Sequence, residues 1–345
     1  MIAAIALFFT WFTFLLIQYD RMRISGPGLA AWIQAKLAGT LSEGDQYRIA
    51  LPLLMRFLEQ HAHIKLEQSL PLIQAFSYGW MLVLLYLQLR WSPHVRESAY
   101  ARRLVAFGLF LAAVQFPVLW IFPWERPETL PTALYLAAVT FLAVRSERVP
   151  LIPGMVAMML LSVGQALARG DAPVVAGAGI VLCAALSTGL PRARRISMGL
   201  LGFVCGAAGG LTQMYLTHRF PLKSPGQTKW TFQLFTNLNL ADAPFHTPIL
   251  LTALLPLLAT VVLIRRYRIG LDLTDKLALV MCMLDLPVYV TMGLVSEVRI
   301  YVPYLFLAAP LMAKVWMQFL FGGTNAPGPA SPLESAEPAP ARALA

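Results

Sequence analysis

The chain has 345 residues, of which 58% are hydrophobic and only 13% are charged. Soluble domains carry roughly 25% charged residues, so this composition excludes an ordinary soluble domain. The formal net charge of +10 would suit a nucleic-acid ligand, but the basic residues are concentrated in the loops between apolar segments. We therefore exclude nucleic acid as a partner and expect membrane lipids instead.

Ten apolar stretches follow one another along the chain. They fall near Ile2–Gln18, Leu70–Leu89, Leu104–Ile121, Leu130–Val144, Leu151–Ala168, Val174–Leu190, Ile196–Leu216, Pro248–Ile264, Leu277–Val295 and Ile300–Phe321. A membrane-crossing helix needs roughly 20 residues, and only the fourth stretch is clearly short. The first stretch lacks a basic start and a small-residue cleavage pattern, so we interpret it as a retained anchor. The sequence predicts an all-α, polytopic transmembrane helical bundle with about ten crossings.

Arginine and lysine are distributed unevenly between alternate loops. The basic loops follow the second, fourth, sixth and eighth stretches and contain Arg90, Arg96, Arg102, Arg103, Arg145, Arg148, Arg192, Arg194, Arg195, Arg265, Arg266, Arg268 and Lys276. Because cytoplasmic loops collect Lys and Arg, we expect these loops and both termini in the cytoplasm. Short arginine-flanked loops suit an integral protein of the bacterial inner (plasma) membrane.

Two outer loops and a tail complete the predicted organisation. Residues 1–321 form the transmembrane domain with long outer loops at 20–67 and 217–247, and residues 322–345 form a disordered cytoplasmic tail rich in Pro, Ala, Gly and Ser. In the first loop, Leu29–Leu37 and Gln46–Leu58 are too short and too charged to span comfortably, so they are predicted to be interfacial helices. Asp45 stands at the start of the second of these helices. It can cap the helix or act in catalysis, and the two roles are compatible.

Two short motifs carry a resemblance. The first outer loop contains Glu43-Gly44-Asp45-Gln46-Tyr47-Arg48, and an outer Glu297-x-Arg299 followed by Tyr301 and Pro303 opens the last crossing. With the long first outer loop and the many crossings, this arrangement resembles the GT-C superfamily of membrane glycosyltransferases, which use polyprenyl-phosphate-linked sugars. The resemblance implies that Asp45 is the base or a metal ligand beside the acceptor. If Asp45 is a metal ligand, the expected cofactor is a divalent cation, Mg²⁺ or Mn²⁺.

The chemistry of sugar transfer gives each of these residues a candidate role. An inverting transfer needs a base for the acceptor proton, which Asp45 or Glu43 supplies, and cations for the leaving phosphate. Arg48 either pairs with Asp45 or binds a phosphate, and Arg299 stands where a lipid-linked phosphate would lie. Glu297 orients Arg299 or forms only a solvated ion pair with it. Tyr47 and Tyr301 complete the substrate-binding candidates of the two motifs.

The second outer loop and one intramembrane acid add further candidates. Lys223 and Lys229 lie among aromatic residues in 217–247, where the loop either covers a phosphate-sugar site or is anchored at the interface by its aromatic rings. Asp285 is the one acid deep inside a predicted crossing, and its charge makes it costly there. It is interpreted as a proton or substrate site, or as a partner in an interhelical hydrogen bond to a group such as Gln165 or Ser187.

Three classes of function remain open from the sequence. The first is a membrane glycosyltransferase that moves a sugar from a polyprenyl-phosphate donor to an extracytoplasmic glycan, lipid or protein. The second is a secondary transporter, although no paired halves with broken helices are visible. The third is a non-catalytic membrane subunit of a cell-envelope polysaccharide assembly system. Sequence motifs for nucleotide hydrolysis and dinucleotide binding are missing.

Overall fold

The computed structural model describes residues 31, 33–35, 37–38, 48–92, 101–114, 128–219, 243–292 and 301–321. Within these ranges the chain is helical and contains no strand. The helices described there are α1 (Ala50–Ala62), α2 (Leu66–Trp91), α3 (Ala101–Val114), α4 (Thr129–Val144), α5 (Leu151–Ala166), α6 (Asp171–Leu186), α7 (Arg192–Arg219), α8 (Ala243–Tyr267), α9 (Leu273–Met292) and α10 (Val302–Phe321). The first apolar stretch and the tail 322–345 lie outside the described residues.

Each of the other nine apolar stretches corresponds to one helix, so the prediction of an all-α protein is confirmed. In the described part of the chain, three helical segments are long and apolar enough to cross a membrane, namely Leu66–Trp91, Arg192–Arg219 and Val302–Leu320. The apolar helices α4, α5 and α6 have 16 residues each. At 1.5 Å per residue they are about 24 Å long, less than the roughly 30 Å hydrocarbon core. Membrane association is thus supported, whereas ten crossings are not established.

The outside of the bundle is apolar. Ile152 is 74% exposed, Leu160 63% and Phe203 68%, and similar side chains are exposed on most of the helices. Large apolar side chains exposed on most of the helices are typical of a protein that contacts lipid. The interior is apolar as well, with Tyr78, Leu136 and Phe306 fully buried. Polar contacts occur within the bundle, as among Tyr135, Ser162 and Cys205, and at both of its ends.

Successive helices alternate in direction, which brings distant loops together at one end of the bundle. The Gln165 amide near the end of α5 donates to the Thr132 hydroxyl near the start of α4 at 2.7 Å. The backbone N–H of Ala50 at the start of α1 donates to the Leu167 carbonyl at 3.0 Å. Gln213, late in α7, donates to the Ala166 carbonyl at 2.5 Å. We call this region the Arg169 end, after the buried arginine in the turn between α5 and α6.

The opposite end is closed by a different set of contacts. Lys314 of α10 binds Asp272 and Asp275 at the start of α9, and Ser92 after α2 donates to Asp272 at 2.5 Å. Arg194 at the start of α7 donates to the Val144 carbonyl at the end of α4 at 2.7 Å. We call this region the Lys314 end. It contains the loops that the sequence predicts to be cytoplasmic.

Helices α6 and α7 pack through glycines. A Cβ on Gly177 would lie 2.5 Å from the backbone nitrogen of Gly206 and 2.7 Å from the carbonyl oxygen of Gly202, so only glycine fits there. The sequence pattern Gly199, Gly202, Gly206 and Gly210 predicts such a close helix contact. The structure uses the middle two for this contact, whereas a Cβ on either of the outer two would meet open space.

A small apolar cluster joins the first outer loop to the bundle. Ile33, Leu51, Met55, Leu70 and Ile73 are buried together, which places α1 against the start of α2. The opposite side of α1 exposes Leu53, Leu54 and Phe57 beside charged residues. The predicted amphipathic helix over Gln46–Leu58 is therefore present from Ala50, with an apolar side on the bundle and a mixed apolar and charged side exposed.

Candidate functional site

The Arg169 end contains a buried ion pair in the turn before α6. The Nε of Arg169 donates to Oδ1 and Oδ2 of Asp171 at 2.9 and 3.0 Å, and a terminal nitrogen donates to Oδ2 at 2.6 Å. The Arg169 side chain is only 7% exposed. Burial by itself lowers the pKa of Arg169, but the charge and hydrogen bonds of Asp171 outweigh it, so the pKa lies above its usual value. Arg169 in turn holds the pKa of Asp171 below its usual value despite burial.

A second carboxyl group lies behind this pair. Asp285 of α9 is 1% exposed and interacts electrostatically with Arg169, Asp171 and Tyr304. The guanidinium carbon of Arg169 lies 6.0 Å from the centre of the Tyr304 ring. Within the described residues, neither Oδ2 of Asp285 nor the Tyr304 hydroxyl has a hydrogen-bond partner. Buried polar atoms usually have such partners, so this pair of unsatisfied groups marks the region as unusual.

Stacked tyrosines connect α9 and α10 beside Asp285. The rings of Tyr289 and Tyr301 stack with centroids 5.6 Å apart, and those of Tyr301 and Tyr304 with centroids 6.0 Å apart. The Tyr301 hydroxyl donates to the Cys282 carbonyl at 3.0 Å, and the Cys282 thiol donates to the Tyr304 carbonyl at 3.2 Å. Tyr301, a candidate substrate-binding residue, is thus fully buried with its hydroxyl bound within the protein. In this conformation it positions α9 and α10.

Arg48 joins the same end from the first outer loop. A terminal nitrogen of Arg48 forms an ion pair with Oε1 of Glu128, the residue before α4. Glu128 is 5% exposed and Arg48 26%, so the pair lies at the rim of the buried cluster. Arg48 also acts on Asp171, where its charge helps to lower the pKa of that carboxyl. The charged groups of the loop before α1, the start of α4 and the turn before α6 are therefore electrostatically connected.

Most of the other predicted site residues lie outside the described part of the chain. Arg48, Tyr301 and Asp285 are described, and all three lie at the Arg169 end. The candidates outside it are Glu43, Asp45, Tyr47, Lys223, Lys229, Glu297 and Arg299. The described neighbours of the motif around Asp45 and of the motif around Arg299 are Arg48 and Tyr301, and both are near the Arg169 cluster.

The hydrogen-bond partners suggested for Asp285 are engaged elsewhere. Gln165 donates to Thr132, and the hydroxyl of Ser187 lies 3.8 Å from the sulfur of Cys183. The interhelical hydrogen bond from Asp285 to either residue is therefore absent among the described contacts. What surrounds Asp285 is instead the Arg169–Asp171 pair and the Tyr304 hydroxyl.

Sequence reasoning missed Arg169, Asp171, Glu128 and Tyr304 as site residues. Arg169, Asp171 and Glu128 stand in short loops next to apolar stretches, where charged residues commonly mark only the membrane boundary. A signal was nonetheless present, because Arg169 and Asp171 flank Gly170 where a connection of four residues, 167–170, leads from one apolar helix into the next. Such a short connection leaves little room for long side chains to extend away from the bundle.

The described residues contain no group of three His, Cys, Asp or Glu side chains that could hold a metal ion. Asp45, the one metal ligand that the sequence suggests, is outside those residues. The three cysteines are free and buried, and Cys282 and Cys205 act as hydrogen-bond donors to backbone carbonyls.

Comparisons of this chain with protein-family models, with curated proteins and with solved structures found no match. Function must therefore be inferred from the chemistry of the Arg169 end.

Proposed function

We propose that the chain is a membrane glycosyltransferase that moves a sugar from a polyprenyl-phosphate donor to an extracytoplasmic glycan, lipid or protein acceptor. In this proposal the bundle crosses a bacterial inner membrane about ten times, both termini are cytoplasmic, and the Arg169 end faces outward. The resemblance of the two motifs to GT-C enzymes supports the assignment. The placement of Arg48 in an electrostatic network at one end of an apolar bundle is the observation that carries it.

The proposed chemistry joins the acceptor oxygen to the anomeric carbon of the sugar. The bond between that carbon and the phosphate oxygen breaks, and the polyprenyl phosphate leaves with the bonding electron pair. Asp45, with Glu43 beside it, accepts the proton of the acceptor hydroxyl and passes it to water. Arg48 and Arg299 stabilise the negative charge that develops on the leaving phosphate, since the arginine fork matches phosphate oxygens.

Arg48 is suited to this role because its partner is exchangeable. It is bound to Glu128 at the rim, with about a quarter of its side chain exposed. A donor phosphate approaching along the bundle could replace the Glu128 carboxylate as the ligand of Arg48. The buried Arg169–Asp171 pair behind it fixes the turn against which Ala50, two residues after Arg48, forms its backbone hydrogen bond.

The proposal is tested by replacing the base. The full-length protein is reconstituted in liposomes with a polyprenyl-phosphate sugar, and transfer to an acceptor glycan is measured. Asp45→Asn should lower the transfer rate by about 10²–10⁴-fold, the usual cost of losing a general base. Helical content and thermal stability should be unchanged. A fully active Asp45→Asn protein would contradict the assignment.

A matched pair of arginines separates phosphate binding from general charge effects. Arg48→Gln should raise the apparent KM for the lipid donor more than that for the acceptor, since the donor phosphate loses a charge-assisted partner. Arg56→Gln removes the same charge from the exposed side of α1 and should leave both constants unchanged. Equal effects of the two substitutions would show that Arg48 has no specific role at the phosphate.

The rival transporter function has one observation in its favour. A buried carboxyl with an unsatisfied oxygen inside a helical bundle is typical of proton relays in pumps and transporters. Uptake of a solute into liposomes that disappears in Asp285→Asn, with no sugar transfer, would replace the glycosyltransferase by a proton-coupled transporter.

A further inference from the structure

Asp285 stands in a cluster whose other described charges already balance. Arg169 is paired with Asp171 through three hydrogen bonds, and Arg48 is paired with Glu128. An ionised Asp285 would add one negative charge to the two that Arg169 and Arg48 already balance in this cluster. A buried charge without its own partner is strongly unfavourable in an apolar bundle, and the usual response is neutralisation by a proton.

The hydrogen-bond geometry agrees with a neutral carboxyl. A carboxylate only accepts hydrogen bonds, whereas a protonated carboxyl is a donor as well. Among the described residues, no donor lies within ordinary hydrogen-bond distance of Oδ2 of Asp285, and the Tyr304 hydroxyl interacts with this carboxyl from further away. An ionised Oδ2 would place negative charge on a buried atom without a close donor, which costs more than leaving a neutral carboxyl oxygen there.

We propose that Asp285 is a proton-binding site whose occupancy decides which carboxyl Arg169 binds. With the proton on Asp285, Arg169 is bound to Asp171, as the structure shows. When Asp285 releases its proton to water, its new negative charge competes with Asp171 for the same guanidinium. Arg169 then shifts from α6 towards α9, and the charge of Asp171 turns to Arg48, with which it already interacts.

The groups around Asp285 are compatible with this exchange. From its own helix the titratable neighbour is Cys282, and from α10 they are Tyr301 and Tyr304. Arg169 comes from the turn before α6 and Asp171 from its first residue. Glu128 at the start of α4 is engaged with Arg48 and is one step further away. Of these groups, Arg169 is the cation that interacts electrostatically with Asp285, so it is the group that responds to ionisation.

The exchange links a proton to the position of the first outer loop. Asp171 interacts with both Arg169 and Arg48, so losing Arg169 strengthens its attraction for Arg48 at the expense of Glu128. The site does not depend on the reaction that the protein catalyses. It can be examined without any substrate. The proton site and the proposed function are therefore tested separately, and either can be wrong while the other is right.

Infrared difference spectroscopy of the full-length protein in lipid bilayers tests the proton site. At neutral pH the wild-type protein should show the carbonyl band of a protonated carboxylic acid, shifted in heavy water, and Asp285→Asn should lack it. Asp275→Asn is the matched control at the other end, where the carboxyl is equally buried, and it should keep the Asp285 band. A wild-type spectrum without the band, or with a band that persists in Asp285→Asn, would overturn the proposal.

A second variant tests the exchange of Arg169 between the two carboxyls, and it keeps the proposal testable if Asp285→Asn does not fold. Asp171→Asn leaves Arg169 with Asp285 as its remaining described carboxyl partner, so Asp285 should lose its proton and the band should disappear at neutral pH. The Asp171→Asn protein must keep the helical content of the wild type. A band that stays unchanged in this folded variant would show that Arg169 does not choose between the two carboxyls.

Discussion

Both ends of the bundle bury carboxyl groups, but only the pair bound by Lys314 has a partner for every carboxylate oxygen. At the Lys314 end, Asp272 accepts from the N–H of Asp275 at 2.9 Å, and Asp275 accepts from the N–H of Asp272 at 3.2 Å. Ser92 and Lys314 bind the remaining carboxylate oxygens. At the Arg169 end, Asp285 and Tyr304 keep unsatisfied polar atoms. Buried polar groups that all have partners stabilise a fold, whereas buried polar groups without partners are available to bind a proton or a ligand.

The Lys314 end is best understood as a helix cap reinforced by an ion pair. Reciprocal hydrogen bonds between residues three apart are the arrangement of a capping box at the start of α9. Lys314 then ties this cap to α10, and Ser92 ties it to the end of α2. Substitutions in the Lys314 cluster should therefore lower the free energy of unfolding, whereas substitutions in the Arg169 cluster should lower the activity.

The largest stability effect is expected for Lys314→Met. It leaves two buried carboxyls without their cation, which costs about 3–5 kcal/mol when one partner of a buried pair is removed. Thermal or denaturant unfolding in detergent measures the loss, and transfer activity per folded molecule should stay at the wild-type level. Lys276→Met removes an exposed lysine from the first turn of α9, beside the same cap, and should be nearly neutral. Comparable losses in the two variants would contradict the capping role of Lys314.

A substitution between the two ends tests whether the scaffold can be weakened without touching either cluster. Gly177→Ala places a Cβ against the backbone of α7 and should destabilise the protein by about 1–3 kcal/mol through overpacking. Gly199→Ala, where a Cβ meets open space, should be neutral or slightly stabilising because alanine favours a helix. The difference in unfolding free energy between the two variants measures the contact. Equal stabilities would mean that α6 and α7 do not pack through Gly177.

The free energy of unfolding should depend on pH through Asp275 at the Lys314 end, and the direction of the change can be predicted. Burial, opposed by Lys314 and reinforced by the charge of Asp272, raises the pKa of Asp275 to about 6. In the unfolded chain an Asp titrates near 3.9, so between about pH 6 and pH 4 the folded protein binds a proton that the unfolded one lacks. Stability should therefore rise as the pH falls through this window, by about 1.4 kcal/mol for each unit of the shift.

Asp275→Asn should remove that rise. Asp272 has the opposite effect, because Lys314 and Ser92 outweigh its burial and hold its pKa below the usual value. Its stabilising contribution is present above about pH 4 and is lost as the pH falls further through its folded pKa. A wild-type stability that falls steadily from pH 6 to pH 4, as in Asp275→Asn, would contradict the assignment of these signs.

The sequence predicted the elements well and the clusters poorly, for physical reasons. Helix positions follow from runs of apolar residues, which are a local property, and nine stretches became nine helices. The contact between Ser92 and Asp272 joins residues 180 apart, and that between Arg48 and Glu128 joins residues 80 apart. Nothing local in the sequence specifies which loop meets which. Asp285 could be identified because an acid inside an apolar stretch is costly by itself, whereas its neighbours Arg169 and Tyr304 could not.

The most direct test of the difference between the two ends compares two substitutions that keep the positive charge, Arg169→Lys at one end and Lys314→Arg at the other. Arg169→Lys keeps the charge but loses the guanidinium fork that makes three hydrogen bonds to Asp171, and Lys314→Arg keeps the charge at the other end. In the reconstituted transfer assay, Arg169→Lys should lower the rate about 10–100-fold, the equivalent of one charged hydrogen bond. Lys314→Arg should retain the wild-type rate per folded molecule. Equal rates in the two variants, or a loss confined to Lys314→Arg, would contradict the assignment of function to the Arg169 end.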